Sequence, residues 1–453
     1  MKKPTQNNYN QGRREFLRRL GMGAGSAVAM MALEPLNLLA KEKDNRQAAD
    51  NRMTYRVQHG SNEQISLLGF GMMRLPDDQE SVNTLVDYAM QHGVNYFDTA
   101  PVSMGGQSEV LTGNALARYP RETFHVATKM SNMWGDTSLE AAKEMYQTSM
   151  KKLRVEYIDY YLLHGIGNGG MDNLNKRFIN NGLLDYLLAE RKAGRIRHLG
   201  FSYHGDVRVF DWLLDHQDEY HWDFCQIQMN YLDWRHASLR RGRRGGDADA
   251  EYLYNKCEKT GVQCVIMEPL RGGALGKVST DVENQLKAVR PDDGPARWAF
   301  RWVGSHTNIL TVLSGMNRMD HLQENVTTFS PLDPCTEAEN TLLEKIADEM
   351  AGVPTIPCTT CAYCMPCPFG VDIPGNFAYY NDAVREKVLP LPERSAADYA
   401  DRKQQFTEGY HKALKDQKAW AHSCQDCEEC LSKCPQQIRI PNQLARIVET
   451  LRR

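Results

Sequence analysis

Eight of the twelve cysteines of this 453-residue chain lie between positions 358 and 434. They form two runs. The first is Cys358, Cys361, Cys364 and Cys367, with two residues in every gap, and Pro368 follows it. The second is Cys424, Cys427, Cys430 and Cys434, with three residues in its last gap, and it closes on Pro435. Thiolates at every third position fall on one side of a tight loop, as an iron–sulfur cluster requires. Four-cysteine sets also suit zinc, but two such sets with trailing prolines favour two [4Fe–4S] clusters. Twelve cysteines are too few for a disulfide scaffold in a chain of this length. Cys225, Cys257, Cys264 and Cys335 stand isolated and read as free buried thiols.

A second chemical signal is more dispersed. Asp98, Lys129 and His164 sit at the ends of three successive short apolar runs. Such runs recur from about residue 62 to 328: Ile65–Phe70, Tyr96–Thr99, His125–Lys129, Ile158–His164, His198–Ser202, Cys225–Met229, Gln263–Met267 and Ile309–Leu313. Between them lie segments of helical period. In Ser81–Gly93, Val82, Leu85, Val86, Ala89 and Met90 share a face and Gly93 supplies the stop. Eight strand–helix units in a segment this long match a (β/α)8 barrel, whose active site gathers polar residues at strand C-terminal ends. A doubly wound sheet is the alternative, but the early Gly-x-Gly-x-x-Gly it needs for a dinucleotide is absent. The fold class is therefore α/β: a TIM barrel followed by a mainly α-helical ferredoxin-type domain.

The barrel segment resembles the aldo-keto reductase family. The matching residues are Phe97-Asp98-Thr99-Ala100, Gly106-Gln107-Ser108-Glu109, Thr128-Lys129, Leu163-His164, Gly200-Phe201-Ser202, Gln226-Ile227-Gln228-Met229-Asn230 and Glu324-Asn325. The resemblance implies carbonyl chemistry in which a tyrosine protonates the substrate oxygen while a nicotinamide delivers hydride. A lysine paired with an aspartate tunes that tyrosine and a histidine orients the substrate. Asp98, Lys129 and His164 take three of these four places. The tyrosine's place, five residues after Asp98, is held by Ser103, far too weak an acid to replace a phenol. Two substitutes are open: His164 as the acid itself, or Tyr203, which reads more simply as an aromatic wall. For the nicotinamide, the resemblance assigns Ser202 and Gln226 to the carboxamide, Met267 to the stacking position and Asn325 to the last strand's contacts. The basic residues that would grip a 2′-phosphate align with Gly315 and His321, with Arg318 nearby. NAD(P) is expected, without a choice between the two forms.

The cysteine runs with their trailing prolines resemble those of bacterial two-cluster ferredoxins, in which the fourth cysteine of each run ligates the other cluster. That implies one set of Cys358, Cys361, Cys364 and Cys434, and another of Cys424, Cys427, Cys430 and Cys367. The short last gap of the first run makes Cys367 the least regular member. The 56 residues between the runs contain helical stretches, Phe377–Lys387 and Ala396–Lys415, which point to the α-helical relay type. Ahead of them Thr336-x-x-Glu339 is a capping box, and its helix would turn Leu342, Leu343, Ile346 and Met350 inward as a strut. Barrel plus two cysteine runs looks like the ferredoxin-fused branch of the aldo-keto reductases.

The N-terminus reads as an address. Arg13-Arg14-Glu15-Phe16-Leu17 precedes a soft apolar stretch, Leu20 to Leu33, and resembles a twin-arginine export signal. The expected organisation is residues 1–40 signal, 41–61 linker, 62–329 barrel, 330–352 connecting helix and 353–453 the two-cluster domain, with Ala40 a candidate cleavage position. The chain is 42% apolar and 25% charged with a net charge of -3, which argues against a nucleic-acid role. The implied function is an exported oxidoreductase, periplasmic or membrane-associated, acting on a small carbonyl or alcohol, sugars included. Its expected partners are a small-molecule substrate, a redox protein and, during export, the twin-arginine translocase. The alternative is a barrel impaired at Ser103 that serves as an electron carrier or a scaffold for a redox partner.

Overall fold

The computed structural model describes residues 52–237, 248–353, 355–390 and 397–452. The twin-arginine segment, Ala40 and the first part of the linker lie outside these residues. A two-stranded hairpin, β1 (Tyr55–Val57) and β2 (Gln64–Ser66), precedes the barrel. The barrel itself is closed and parallel, its strands in chain order: β3 (Leu68–Gly71), β4 (Tyr96–Asp98), β5 (His125–Met130), β6 (Ile158–Ile166), β7 (Ile196–Tyr203), β8 (Phe224–Gln228), β9 (Gln263–Met267) and β10 (Ile309–Ser314). β10 closes on β3. The expected first strand, Ile65–Phe70, divides at Leu67. Its first half turns back on β1, inside the segment read as linker, and its second half enters the barrel.

The strands are buried on both faces and so read as near-continuous apolar runs; every residue of β6 is buried. Tyr96, Tyr160, Leu162, Phe224, Val265 and Leu310 fill the inside, so the barrel is a packed core rather than a pore. The hairpin closes its floor: the backbone N–H of His59 donates to Gln263 at 2.7 Å and Glu63 meets His198 at 2.7 Å. Outside run α1 (Gln79–Gln91), α2 (Gln107–Leu116), α3 (Leu139–Leu153), α4 (Leu183–Lys192), α5 (Val207–Asp215), α6 (Ala250–Thr260), α7 (Pro295–Gly304) and α8 (Met319–Thr328). In α1, Asp78 caps the Ser81 N–H at 2.8 Å, and Val82, Leu85, Val86 and Ala89 face inward. Gly93, with φ of 86°, follows its end as the sequence predicts.

The strut is α9 (Glu337–Ala351), opened by the capping box of Thr336 and Glu339. Beyond it the chain is helical: α10 (Ile373–Arg385), α11 (Tyr399–Ala413) and α12 (Ile440–Arg452). Phe377, Tyr380, Phe406, Tyr410, Leu444 and Ile447 form its own core. Both α10 and α12 begin with Ile-Pro a few residues after a cysteine run; the proline N–H is missing where a helix start has no use for one.

Candidate active site

Asp98 ends β4, Lys129 lies near the end of β5 and His164 near the end of β6, so the fold brings all three to one end of the barrel. Lys129 Nζ donates to both Asp98 oxygens, at 2.6 and 2.7 Å, and to the Thr99 carbonyl at 3.0 Å. Its three donors are thereby committed. The motif residues Ser108 and Glu109 stand behind this pair. Ser108 Oγ lies 2.6 Å from Thr99 Oγ1, and Glu109 accepts from Thr128 at 2.7 Å, so each props the residue next to a member of the pair.

His164 Nδ1 lies 2.6 Å from Ser131 Oγ, which leaves Nε2 for a ligand. Arg177, fully buried, donates to the His164 carbonyl at 2.6 Å and to Asn132, and so clamps this strand end. Burial first, then Lys129, His204 and Arg177, hold the imidazole well below its ordinary pKa. That direction favours the uncharged imidazole. It remains a hydrogen-bonding group. Tyr203 is the wall residue foreseen for it: its hydroxyl donates to the Gly205 carbonyl and its ring packs on Phe210.

Ser103 opens a turn after β4 and is buried. Beside it stands Tyr363, a residue of the first cysteine run; burial pushes the pKa of its phenol up and Ser103 pulls it back down. Tyr363 also lies within electrostatic reach of Asp98 and Glu268, and Trp134 meets its ring edge-on at 6.0 Å. Sequence reasoning missed this phenol. Its loop is pinned to the barrel rim: Arg74 Nη2 donates to the Thr359 carbonyl at 2.5 Å and Nη1 to Thr360 Oγ1 at 3.1 Å. At Gly272 a Cβ would stand 2.6 Å from Thr359 Cα and O, so the two backbones touch where only glycine fits.

The cysteines surround two cavities. Cys358, Cys361, Cys364 and Cys434 line one. Cys367, Cys424, Cys427 and Cys430 line the other, whose wall Cys364 also reaches. Among the described residues no three His, Cys, Asp or Glu side chains gather closely enough to hold a single metal ion. The two runs share an unusual backbone. Thr360 and Ala362 in the first, and Asp426 and Glu428 in the second, have φ between 53° and 62° at equivalent positions. Each such residue costs about 1–2 kcal/mol, and here they curl the chain so that amides face sulfur: the Thr360 N–H donates to Cys358 Sγ at 3.4 Å. Repeated strained turns with inward amides and four thiols per cavity fit a bound cluster.

The residues that the resemblance assigns to the nicotinamide have these partners. Gln226 Nε2 donates to Asp98 Oδ2 at 3.1 Å, and Ser202 Oγ accepts from the Gly165 N–H at 3.0 Å. Asn325 donates to Ser314 Oγ at 3.0 Å, and Arg318 is turned to Asp320 at 2.7 Å on the surface. Met267 is half-buried at the end of β9. Of the cysteines read as isolated, Cys225, Cys257 and Cys264 are free and buried, Cys225 and Cys264 facing each other in the β8–β9 register, and burial pushes the Cys225 thiol up.

Residues 67–348 match the model of the Aldo/keto reductase family and residues 357–439 that of the 4Fe-4S dicluster domain. The chain belongs to the aldo/keto reductase family and is an oxidoreductase that carries a 4Fe–4S dicluster domain. Among its relatives, the NADH-specific methylglyoxal reductase of Escherichia coli is 25% identical over 320 residues, which is 60% of this chain and 89% of that protein. L-galactose dehydrogenase of Arabidopsis thaliana is 24% identical over 303 residues, 62% of this chain and 89% of its own. The holo form of an aldo-keto reductase from Bacillus halodurans superposes with a TM-score of 0.52 at 25% identity, covering 65% of this chain and 96% of that one. A Klebsiella pneumoniae aldo-keto reductase in complex with NADPH shares the fold at 19% identity and a TM-score of 0.51, over 66% of this chain and 95% of that one.

Proposed function

We propose that this protein interconverts a small carbonyl and the corresponding alcohol, sugars included, with electrons relayed through two [4Fe–4S] clusters to or from a redox partner protein, and that the twin-arginine route exports it. The reading rests on one observation above all. The loop that carries Cys358, Cys361 and Cys364 also carries Tyr363, whose ring meets Trp134 of the barrel edge-on and stands beside Ser103. A redox centre on that loop would adjoin the barrel end where Asp98, Lys129 and His164 meet. In this reading His164, through Nε2, orients the substrate oxygen, and the Asp98–Lys129 pair sets the field around it. Cys434 completes the first ligand set and Cys367 the second. When bound, the clusters supply one-electron storage; the chain's own residues bind and orient the substrate and keep water out.

The test is a screen of small aldehydes, ketones and sugars with anaerobic, cluster-loaded protein under an artificial one-electron donor and, in reverse, acceptor. Turnover is expected with at least one compound class and is lost in Lys129→Ala and His164→Ala. Full turnover in both variants would overturn the assignment of the site. No turnover with any compound in either direction would favour the scaffold reading.

A further inference from the structure

We propose that the first cysteine loop has taken the place of the nicotinamide coenzyme: the segment Cys358–Tyr363 occupies the mouth of the barrel, no nicotinamide nucleotide binds there, and Tyr363 is the hydroxyl the loop presents to the substrate. This deepens the function proposed above and rests on it for the nature of the reaction, though not for the occupancy of the mouth.

Barrel topology carries the first step. β10 lies between β9 and β3 in the closed sheet. Arg74 follows β3 and Gly272 follows β9, and both hold the same two residues: Arg74 through hydrogen bonds to Thr359 and Thr360, Gly272 through backbone contact with Thr359. The segment therefore spans the rim over the end of β10. A nucleotide with its ring among Ser202, Gln226 and Met267, on β7, β8 and β9, and its far phosphate near Arg318, beyond β10, would have to cross that same stretch of rim. The segment lies across that path, with Thr359 against Gly272.

The polar groups agree. Gln226 spends an amide hydrogen on Asp98, and Arg318 is paired with Asp320. Glu268 stands on the rim with φ of 56°, within electrostatic reach of Cys358, Cys361 and Tyr363, so a carboxylate occupies the region a pyrophosphate would traverse. Arg271, the nearby cation, faces Asp233 at 3.6 Å. The loop then delivers what the barrel lacks. Ser103 has no phenol, and Tyr363, its ring against Trp134 at 6.0 Å, brings one beside Ser103. Its hydroxyl is a hydrogen-bond donor for a substrate oxygen lying against His164.

The experiment uses full-length protein loaded with clusters and checked for iron content. NADH and NADPH are titrated by calorimetry up to about 1 mM, and the broad cluster absorbance is followed in the same samples. No saturable binding and no bleaching by either nucleotide is expected, whereas dithionite bleaches the band. Saturable binding or bleaching by either nucleotide overturns the proposal. That result would leave the oxidoreductase reading intact, since turnover with an artificial one-electron donor is measured separately. Tyr363→Phe, with iron per chain unchanged, should lower turnover of whichever compound class the screen identifies by roughly 10²–10³-fold in kcat, as for loss of one positioned donor. Turnover within about twofold of the parent would remove Tyr363 from the pocket. If Tyr363→Phe loses iron, Ser103→Ala reads the same contact from the barrel side, and unchanged kcat there has the same meaning.

Discussion

Replacing Lys129 by methionine isolates the energetics of the buried pair. The change strips hydrogen bonds of 2.6, 2.7 and 3.0 Å and leaves the Asp98 carboxylate, 8% exposed, with only the Gln226 amide at 3.1 Å. Removing one partner of a buried pair costs about 3–5 kcal/mol, because the remaining charge is stranded away from water. For domains near this size each kcal/mol moves the melting temperature by about 2–4 °C. Lys129→Met should therefore melt about 6–20 °C below the parent. Asp98→Asn/Lys129→Met removes both charges, and the double variant should recover part of the loss, with a coupling of about 1–3 kcal/mol in the cycle. The assay is thermal unfolding by circular dichroism on samples matched for iron content. A Lys129→Met variant within about 2 °C of the parent, or a double variant as unstable as the sum of the singles, would refute the claim that the pair is held as a desolvated unit.

Three further outcomes follow from other parts of the molecule. Cys434→Ser and Cys367→Ser should each lose about half the iron, and electron paramagnetic resonance should show Cys434→Ser sharing its lost signal with Cys358→Ser rather than with Cys430→Ser; the opposite pairing would mean self-contained runs. At the barrel floor, burial alone would lower the His198 pKa, but Asp223 and Glu63 outweigh it and push it up to about 9. The folded state then holds a proton that the unfolded state releases near pH 6.5. This stabilisation, up to about 3 kcal/mol, is fully present below pH 6.5 and lost as pH rises through 9, so melting between pH 6.5 and 9.5 should fall in the parent and stay flatter in His198→Gln. Finally, Gly272→Val puts a branched side chain where a Cβ already lies 2.6 Å from Thr359, at a φ of 68°. Iron at the Cys358 cavity should fall while far-ultraviolet circular dichroism of the barrel holds; full iron occupancy would mean the rim contact is slack.

The cysteine runs, the barrel and the convergence of Asp98, Lys129 and His164 were legible because each depends on local text. Spacing fixes which thiols share a loop, and strand-end position fixes which side chains share a rim. The hairpin was not, because three-residue strands in polar text carry no period that separates them from linker. Nothing in Gln226-Ile227-Gln228 says that the Gln226 amide will find Asp98, 128 residues away. Cys225 and Cys264 looked isolated until the β8–β9 register set them side by side. Tyr363 was the costliest omission. Its partner is 260 residues earlier in the chain. The available signal was a pair of oddities never joined: a barrel with serine where its resemblance calls for a phenol, and a cysteine run with a tyrosine just before its third cysteine where the second run has Glu429.

A pocket wall supplied by a separate domain works only if that domain cannot drift, since a misplacement of about 1 Å forfeits much of a positioned group's effect. The strut provides this constraint. Arg301 of α7 is fully buried and donates to both Glu339 oxygens, at 3.2 and 3.0 Å, and to the Asp333 carbonyl at 2.7 Å. Burial alone would raise the Glu339 pKa, but Arg301, the Thr336 N–H and Arg290 bring it down to about 2. The first turn of α9 is thus locked to the barrel by a carboxylate that is charged at any ordinary pH. From there α9 runs across the barrel with Leu343, Ile346 and Ala347 packed into its outer core. The chain reaches Cys358 only seven residues after α9 ends, too short a span to let the first loop wander far. Arg74 then fixes the loop's final approach. The residues that hold the strut and the first cysteine loop to the barrel form one continuous line from Arg301 to Tyr363, so if the proposed role of Tyr363 holds, loosening the strut should lower turnover as well as stability.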